Sequence, residues 1–155
     1  MEPRIVYKPA FSVVGIWQNG NPSNSTVDGL WERLGEHFPE IPCVDPDQGY
    51  GVHVKSGNEE KYLAGLMVRS GIPAGKLPEG MALLSLEAHA YAVFHHSGRM
   101  IKIDSTLRAV FSTWLPNSGY QTAADFYFEY FDDRFQPGSD DSLLFIYVPV
   151  RESAS

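Results

Sequence analysis

One carboxylate stands in the middle of the most aromatic stretch of the chain. Glu129 has rings on both sides in the run Phe126-Tyr-Phe-Glu-Tyr-Phe131. A carboxylate among rings is costly unless it is paired, hydrogen-bonded or open to a cleft. The ordinary interpretation is an edge-strand glutamate with its head group in water, because charged side chains on sheets are usually solvated. The other interpretation is an anionic anchor inside an aromatic pocket, which suits a cation.

The period of two along a strand sorts these rings between the two faces of a sheet. Tyr127 and Phe131 share a face with Glu129, and the other rings of the run take the opposite face. In the strand-like stretch 49–54, the same alternation separates His53 from its valine neighbours. His53 is expected roughly opposite Glu129 once the two halves of the chain come together, although a surface histidine is the commoner situation.

No other set of polar residues has the spacing of a catalytic or metal centre. His95 and His96 are adjacent, so on a strand they point to opposite faces, and the other histidines lack the cysteine or carboxylate spacing typical of zinc. The glycine- and proline-rich stretch 71–80 lacks the Lys-Ser/Thr of a phosphate-binding loop, and no serine lies in a nucleophile elbow. We therefore predict no metal and no cofactor.

Length and charge narrow the class of protein. A chain of 155 residues is long enough for one domain with its own core. The net charge of -7 and the lack of a Lys/Arg cluster argue against direct binding to nucleic acid. The single Cys43 permits no internal disulfide and fits a reducing compartment. The N-terminus lacks the layout of a signal peptide and no apolar run could span a bilayer, so we expect a cytoplasmic protein without membrane contact.

The order of predicted elements repeats once along the chain. Each half is predicted as strand, helix, strand, strand, and the loop 70–80 separates the halves. The first helix is predicted over Thr26–Phe38 and the second over Ile101–Leu115. Each is expected to end at the proline that follows it, Pro39 or Pro116.

Two such modules can pair about a pseudo-twofold axis. We take 1–155 as one domain, with module one at about residues 1–70 and module two at about residues 80–150. The predicted fold class is α+β: an antiparallel sheet with the helices on one face and a ligand cleft on the other. The last strand agrees, because one of its faces is aliphatic and suits packing under helices. Its other face, with Phe145 and Tyr147, is aromatic and suits either a ligand or a core.

Six short motifs, in order along nearly the whole chain, resemble a known family. They are Tyr62-Leu-Ala-Gly65, Leu77-Pro-Glu-Gly80, Tyr91-Ala-Val-Phe-His-His-Ser-Gly98, Trp114-Leu-Pro-Asn-Ser-Gly-Tyr120, Asp125-Phe-Tyr-Phe-Glu129-Tyr and Ile146-Tyr-Val-Pro-Val150. Together they resemble the gyrase-inhibitor-like small-molecule-binding domains, the effector-binding domains of bacterial AraC-type and MerR-type transcription activators. The resemblance implies paired strand-helix-strand-strand modules, with a cleft between them that binds bulky, lipophilic, often cationic molecules.

The resemblance also assigns roles to particular residues. The family's acidic anchor falls on Glu129, whereas Phe145 replaces the acid that usually starts the final strand, which argues against a second carboxylate. No DNA-binding segment precedes the domain in this sequence, so the resemblance is to a free-standing member rather than to a DNA-binding regulator.

Binding of a hydrophobic, cationic small molecule, for sequestration or sensing, is the function we expect. The expected ligand-contacting residues are Glu129, Tyr147, Tyr120, Tyr91, Phe145, Tyr62, Trp114 and His53. Some free-standing members of the family hydrolyse electrophilic cyclopropane-bearing toxins, so hydrolysis is the alternative, with Glu129 as the base that activates water. A protein-interaction module of the gyrase-inhibitor type is the second alternative, with Asp132-Asp133 and Asp140-Asp141 as contacts.

Overall fold

The computed structural model describes residues 2–20, 24–36, 41, 45, 47–69, 77, 79–99, 102–136 and 138–153. The predictions made on Pro39 and Cys43 lie outside these residues. The strands are β1 (Arg4–Lys8), β2 (Phe11–Asn19), β3 (Gly49–Ser56), β4 (Glu59–Val68), β5 (Ala82–Leu86), β6 (His89–Ser97), β7 (Tyr120–Thr122), β8 (Phe126–Phe131) and β9 (Leu143–Glu152). The helices are α1 (Asn24–Glu36), α2 (Ile103–Arg108) and α3 (Leu115–Asn117), and a π-helical segment, Ala109–Trp114, joins α2 to α3. Among these helices none is long and apolar enough to cross a membrane.

The strands form one antiparallel sheet, in which equivalent strands of the two halves are placed symmetrically about the central pair β8 and β3. The order is β1-β6-β9-β8-β3-β4-β2-β5, and β7 pairs with β9 beside this path. One half of the sheet is built from β2, β3 and β4 with α1, and the other from β6, β8 and β9 with the second helix, 103–117. The strand that precedes each half pairs with the first strand of the other half: β1 with β6, and β5 with β2. The predicted α+β fold of paired strand-helix-strand-strand units is confirmed.

The two halves meet along β3 and β8. These strands pair antiparallel from Gly49 opposite Phe131 to Val54 opposite Phe126. Because the sheet order is symmetric about this pair, residues on it lie close to the pseudo-twofold axis. Any side chain in the middle of β3 or β8 is therefore within reach of both halves.

Both helices pack on the same side of the sheet, which we call the helix face. Val110, in the π-helical segment, is buried with Ile146 and the other alternate aliphatic residues of β9. In the half that contains α1, Leu34 of this helix is buried with Val14 of β2 and Leu66 of β4. The helix face therefore has buried apolar clusters under both helices, one under the second helix and two under α1.

The opposite side, which we call the aromatic face, curls around Phe128. The Phe128 ring is fully buried and stacks on Tyr147 with centroids 4.6 Å apart. Phe11 also contacts Phe128, at 5.5 Å, although β3 and β4 lie between their strands. Strands three positions apart in a flat sheet are separated by about 14 Å. The sheet is thus strongly curved, and the aromatic face is its packed concave core.

The second helix departs from the sequence prediction at its end. Pro116 was expected to stop it, but the helix continues for a further short turn, Leu115–Asn117, with the proline in the first positions of that turn. The helix therefore ends at Asn117, one residue beyond this proline and two beyond the predicted end at Leu115. At the other end, buried His96 holds the helix to β6: Nε2–H donates to the Arg99 carbonyl (2.9 Å) and Nδ1 lies 2.6 Å from the Thr106 hydroxyl.

Candidate ligand-binding site

Glu129 lies at the junction of the two halves, on the helix face. It pairs with Gly51 of β3 on one side and with Ile146 of β9 on the other. Only 4% of the residue is exposed. The interpretation of Glu129 as a solvated edge residue is therefore wrong, because β8 is a central strand and the second helix and α1 cover this face.

His53 is the polar partner of this buried carboxylate. Its Nε2 lies 2.5 Å from Oε1 of Glu129, a distance at which the ring N–H donates to the carboxylate. Antiparallel register explains the contact: His53 is opposite Tyr127, so it is the diagonal neighbour of Glu129 on the same face. The structure thus brings together the two residues that strand alternation set opposite each other.

Two tyrosines enclose the His53 ring. Tyr127 stacks on it, with centroids 4.5 Å apart and planes 6° from parallel. Tyr62 meets it edge-on at 4.8 Å. The imidazole therefore lies in an aromatic slot whose inner end is the carboxylate of Glu129.

Burial and the charge of Glu129 both act on the two phenols of the site. Burial, followed by the negative charge of Glu129, raises the pKa of both Tyr62 and Tyr127 well above the ordinary value for a phenol. Both hydroxyls therefore stay neutral near physiological pH and add no charge of their own. The only large charges at the centre of the site are those of Glu129 and, when protonated, His53 among the described residues.

Glycines on β3 let the large rings approach the sheet. A Cβ on Gly51 would lie 2.9 Å from Cε1 of Tyr62, and one on Gly49 would lie 2.9 Å from Cη2 of Trp31. Trp31 also packs against the buried cluster that contains Tyr62. The alternation of glycine with larger residues in β3 thus makes the space that Tyr62 fills beside Glu129.

Each helix contributes one ring to the rim of the site. Trp31 of α1 meets Phe131 edge-on at 5.7 Å, and Phe111 of the π-helical segment meets Tyr127 at 5.2 Å. π-helical segments are uncommon and occur often at functional sites. Phe131 and Tyr127, which share the face of Glu129, thus each contact one ring from a helix.

Three of the predicted ligand-contacting residues lie on the aromatic face and not with Glu129. Tyr147 and Phe145 alternate with Ile146, which shares the face of Glu129, so their side chains point the other way. Tyr91 is fully buried, with its ring 5.4 Å from Phe128. The expectation that one cleft, on the side away from the helices, would hold these rings and Glu129 together is corrected: the anchor is on the helix face and these rings belong to the core.

The remaining two predicted residues lie outside the junction. Trp114 and Tyr120 stack on each other at 6.0 Å and line a groove of about 690 Å³ beside β1 and the end of the second helix. Ile5, which is 44% exposed, lines the other side of this groove. No group of histidine, cysteine and carboxylate side chains in the described residues could hold a metal ion.

Comparison with known proteins identifies the family. Residues 1–151 match the GyrI-like small molecule binding domain. The chain is a member of that family. The resemblance drawn from the six motifs is confirmed. The chain is also 38% identical over 153 residues to the transcriptional regulator BrlR of Pseudomonas aeruginosa, an alignment that covers 97% of this chain and 56% of BrlR. It thus spans little more than half the length of that relative.

Solved structures share the fold of this GyrI-like domain. SAV2435 bound to tetraphenylphosphonium superposes with a TM-score of 0.76 at 15% identity, covering 97% of this chain and 94% of SAV2435. The C-terminal domain of EcmrR superposes with a TM-score of 0.74 at 13% identity, covering 98% of each chain. Identities this low show the fold alone.

Three residues at the site were not singled out from the sequence: Tyr127, Trp31 and Phe111. Tyr127 carried a usable signal, because it alternates with Glu129 on the same strand face. Trp31 and Phe111 fall in the apolar stripes of their helices, where a ring is ordinarily part of the core. Their positions over the junction depend on how the helices pack, which the local sequence does not specify.

Proposed function

We propose that the junction between the two halves binds a bulky lipophilic cation, with Glu129 as its countercharge. The observation that carries this proposal is a carboxylate that is only 4% exposed and lies among aromatic rings. A buried carboxylate is costly unless a positive charge compensates it. SAV2435, which has the same fold, is bound to tetraphenylphosphonium, a cation of this class.

The rings around Glu129 suit such a ligand. Tyr62 and Tyr127 are neutral because their pKa values are raised, so they offer aromatic faces without a competing charge. A desolvated contact between a cation and a ring contributes about 2 kcal/mol. Trp31 and Phe111, one from each helix, extend the aromatic surface toward the rim and would contact the apolar parts of a large ligand.

Binding of a cation requires fewer features of this site than hydrolysis does. A general base must accept a proton from water through a free carboxylate oxygen. Here His53 already donates to Oε1 of Glu129 at 2.5 Å, so only Oε2 is left for that role. The acidic pairs proposed for a protein partner are also partly neutralised, since Arg134 binds Asp132 and Arg99 binds Asp140.

Titration with tetraphenylphosphonium tests the proposal. We expect micromolar affinity for the wild type, about -8 kcal/mol. Two unit charges about 5 Å apart at an effective dielectric of about 20 attract by about 3 kcal/mol before desolvation. Glu129→Gln should therefore weaken binding by roughly ten- to a hundredfold. Neutral triphenylphosphine oxide should bind both proteins alike, because it does not use the charge.

The matched control is Glu59→Gln, which removes the same charge from an exposed position in the β3–β4 hairpin. Its affinity for tetraphenylphosphonium should stay within about twofold of wild type, because an exposed charge is screened by solvent and salt. Equal weakening by Glu59→Gln and Glu129→Gln would show that only net charge matters. Unchanged binding by Glu129→Gln would remove Glu129 as the anchor.

A further inference from the structure

His53 occupies the position that the charge of a cationic ligand would take. Its Nε2 is 2.5 Å from the carboxylate of Glu129. A bulky ligand whose charge is surrounded by apolar groups could not bring that charge so close to the carboxylate. Tyr127 stacks on the ring with planes 6° from parallel, which is the geometry of a flat cation on an aromatic face. The structure thus has an imidazole in the slot proposed for the ligand, with Nε2 toward Glu129.

His53 also lies on the outer side of this pair. Its side chain is 20% exposed, whereas that of Glu129 is 5% exposed. A ligand that approaches the carboxylate from solvent therefore meets the imidazole first. The ring must leave the carboxylate before a ligand cation can come close to it.

We propose that His53 is a built-in competitor that makes binding of cations dependent on pH. This inference rests on the function proposed above and adds the regulation of the same site. When His53 is protonated, the imidazolium neutralises Glu129 and a ligand cation must displace it. When His53 is neutral, it gives up only a hydrogen bond, and the carboxylate is left to the ligand. Binding is thus linked to release of one proton from His53 to solvent.

The sign of the effect follows from this linkage. The ligand binds the deprotonated form of His53 more tightly, so the affinity rises as pH rises through the imidazole titration and becomes constant above it. An imidazole with an ordinary titration midpoint near 6.5 is about nine-tenths protonated at pH 5.5. Full competition by an imidazole of this ordinary kind corresponds to an affinity about tenfold lower at pH 5.5 than at pH 8.5.

Other titratable groups face His53 from the neighbouring elements. Besides Glu129, they are two phenols, two carboxylates and one ammonium group: Tyr62 and Tyr127, Glu60 and Asp104, and Lys55. The phenols are neutral across the range from pH 5.5 to 8.5 because their pKa values are raised. The two outer carboxylates and the ammonium group are present in wild type and in every variant compared below, so they do not alter the contrast between wild type and His53→Gln.

The experiment is a titration of the full chain with tetraphenylphosphonium at pH 5.5, 6.5, 7.5 and 8.5. This probe carries a permanent charge, so its own ionisation does not contribute. We expect the wild type and the control His95→Gln, which changes an exposed histidine on β6, to gain about tenfold in affinity over this range. His53→Gln should bind more tightly than wild type at pH 5.5 and should lose most of the dependence on pH.

A second measurement needs no variant at the site. The ring resonances of His53 in wild type, followed by NMR against pH, should show a midpoint that is lower when tetraphenylphosphonium is saturating. Tight binding with no dependence on pH, a dependence that persists in His53→Gln, or an unchanged midpoint would overturn this inference while leaving the proposed function intact. Absence of binding at every pH, by every variant, would overturn the proposed function and this inference with it.

Discussion

Removing His53 should destabilise the protein more than changing Glu129 does. His53→Leu leaves the carboxylate of Glu129 without its hydrogen-bond donor in a place where only 5% of that side chain reaches solvent. Glu129→Gln keeps the shape and keeps an amide oxygen that can accept from the His53 ring. His53→Leu therefore removes the contact and leaves a buried charge unpaired, whereas Glu129→Gln removes the charge and keeps an acceptor for the ring N–H.

The size of the difference follows from the exposure of the two partners. Removing one partner of a fully buried ion pair costs about 3–5 kcal/mol. His53 is 20% exposed, so water can enter where its ring was, and we expect about 2–3 kcal/mol for His53→Leu. Glu129→Gln exchanges a charged acceptor for a neutral one and should cost about 1 kcal/mol. His53→Leu combined with Glu129→Gln should recover at least about 1 kcal/mol relative to His53→Leu alone, because the unpaired charge is gone.

Urea unfolding at pH 7.5 measures all three free energies of unfolding. His95→Leu, at an exposed position on β6, is the control and should change stability by no more than about 0.5 kcal/mol. Equal losses for His53→Leu and Glu129→Gln would refute the reasoning, because a neutral contact would then explain both. Strict additivity in the double variant would also refute it, since two residues in direct contact should couple.

Further substitutions test the packing beside Glu129, with Gly51→Ala and its control Gly29→Ala, and in the aromatic core, with Tyr91→Phe. Gly51→Ala brings a Cβ to 2.9 Å from a buried tyrosine ring and should lower the free energy of unfolding by roughly 1–3 kcal/mol. The control is Gly29→Ala in α1, which has open space around it and should raise the free energy of unfolding by up to about 1 kcal/mol. Loss of stability in both would mean that the glycines do not differ in packing. Tyr91→Phe removes a buried hydroxyl that has no hydrogen-bond partner and should stabilise the protein by up to about 1 kcal/mol in thermal or urea unfolding. Burial raises the pKa of Tyr91 to about 12. Above about pH 10 the phenol ionises in the unfolded wild type but not in the folded one, so the gain in stability from Tyr91→Phe should grow there. A destabilised variant would show that the hydroxyl has a partner.

The sequence predicted which face of a strand each side chain takes and the order of elements along the chain, because both depend on local pattern. The faces of β8 and β9 followed from the period of two, and the repeat of elements predicted the paired units. The exchange of β1 and β5 between the two halves was not readable, because it depends on which distant edge each strand pairs with. Pro9 lies between β1 and β2, where the chain passes from one half to the other, but a proline does not specify which edge the strand before it joins.

The assignment of rings to one site failed for a related reason. Tyr147, Tyr91 and Phe145 have the residue types of a ligand pocket, but residue type does not distinguish a pocket from an aromatic core. The curvature that turns the aromatic face into a core is visible only in contacts across several strands, such as Phe11 with Phe128. The helix-face rings of Trp31 and Phe111 were overlooked because a helical apolar stripe is ordinarily core.

A symmetric fold yields a site with a single charge because its two central strands carry different residues at matched positions. Glu129 of β8 pairs directly with Gly51 of β3, so no side chain from the opposite strand competes for the space above the carboxylate. Tyr62 fills part of this space from β4, and His53 supplies the one donor from the diagonal position. A second acid at position 51 would repel Glu129, and a larger neutral residue would displace the Tyr62 ring. Gly51 therefore contributes to this arrangement as much as Glu129 does. The two central strands differ at this pair of positions, and the difference leaves one carboxylate at the junction.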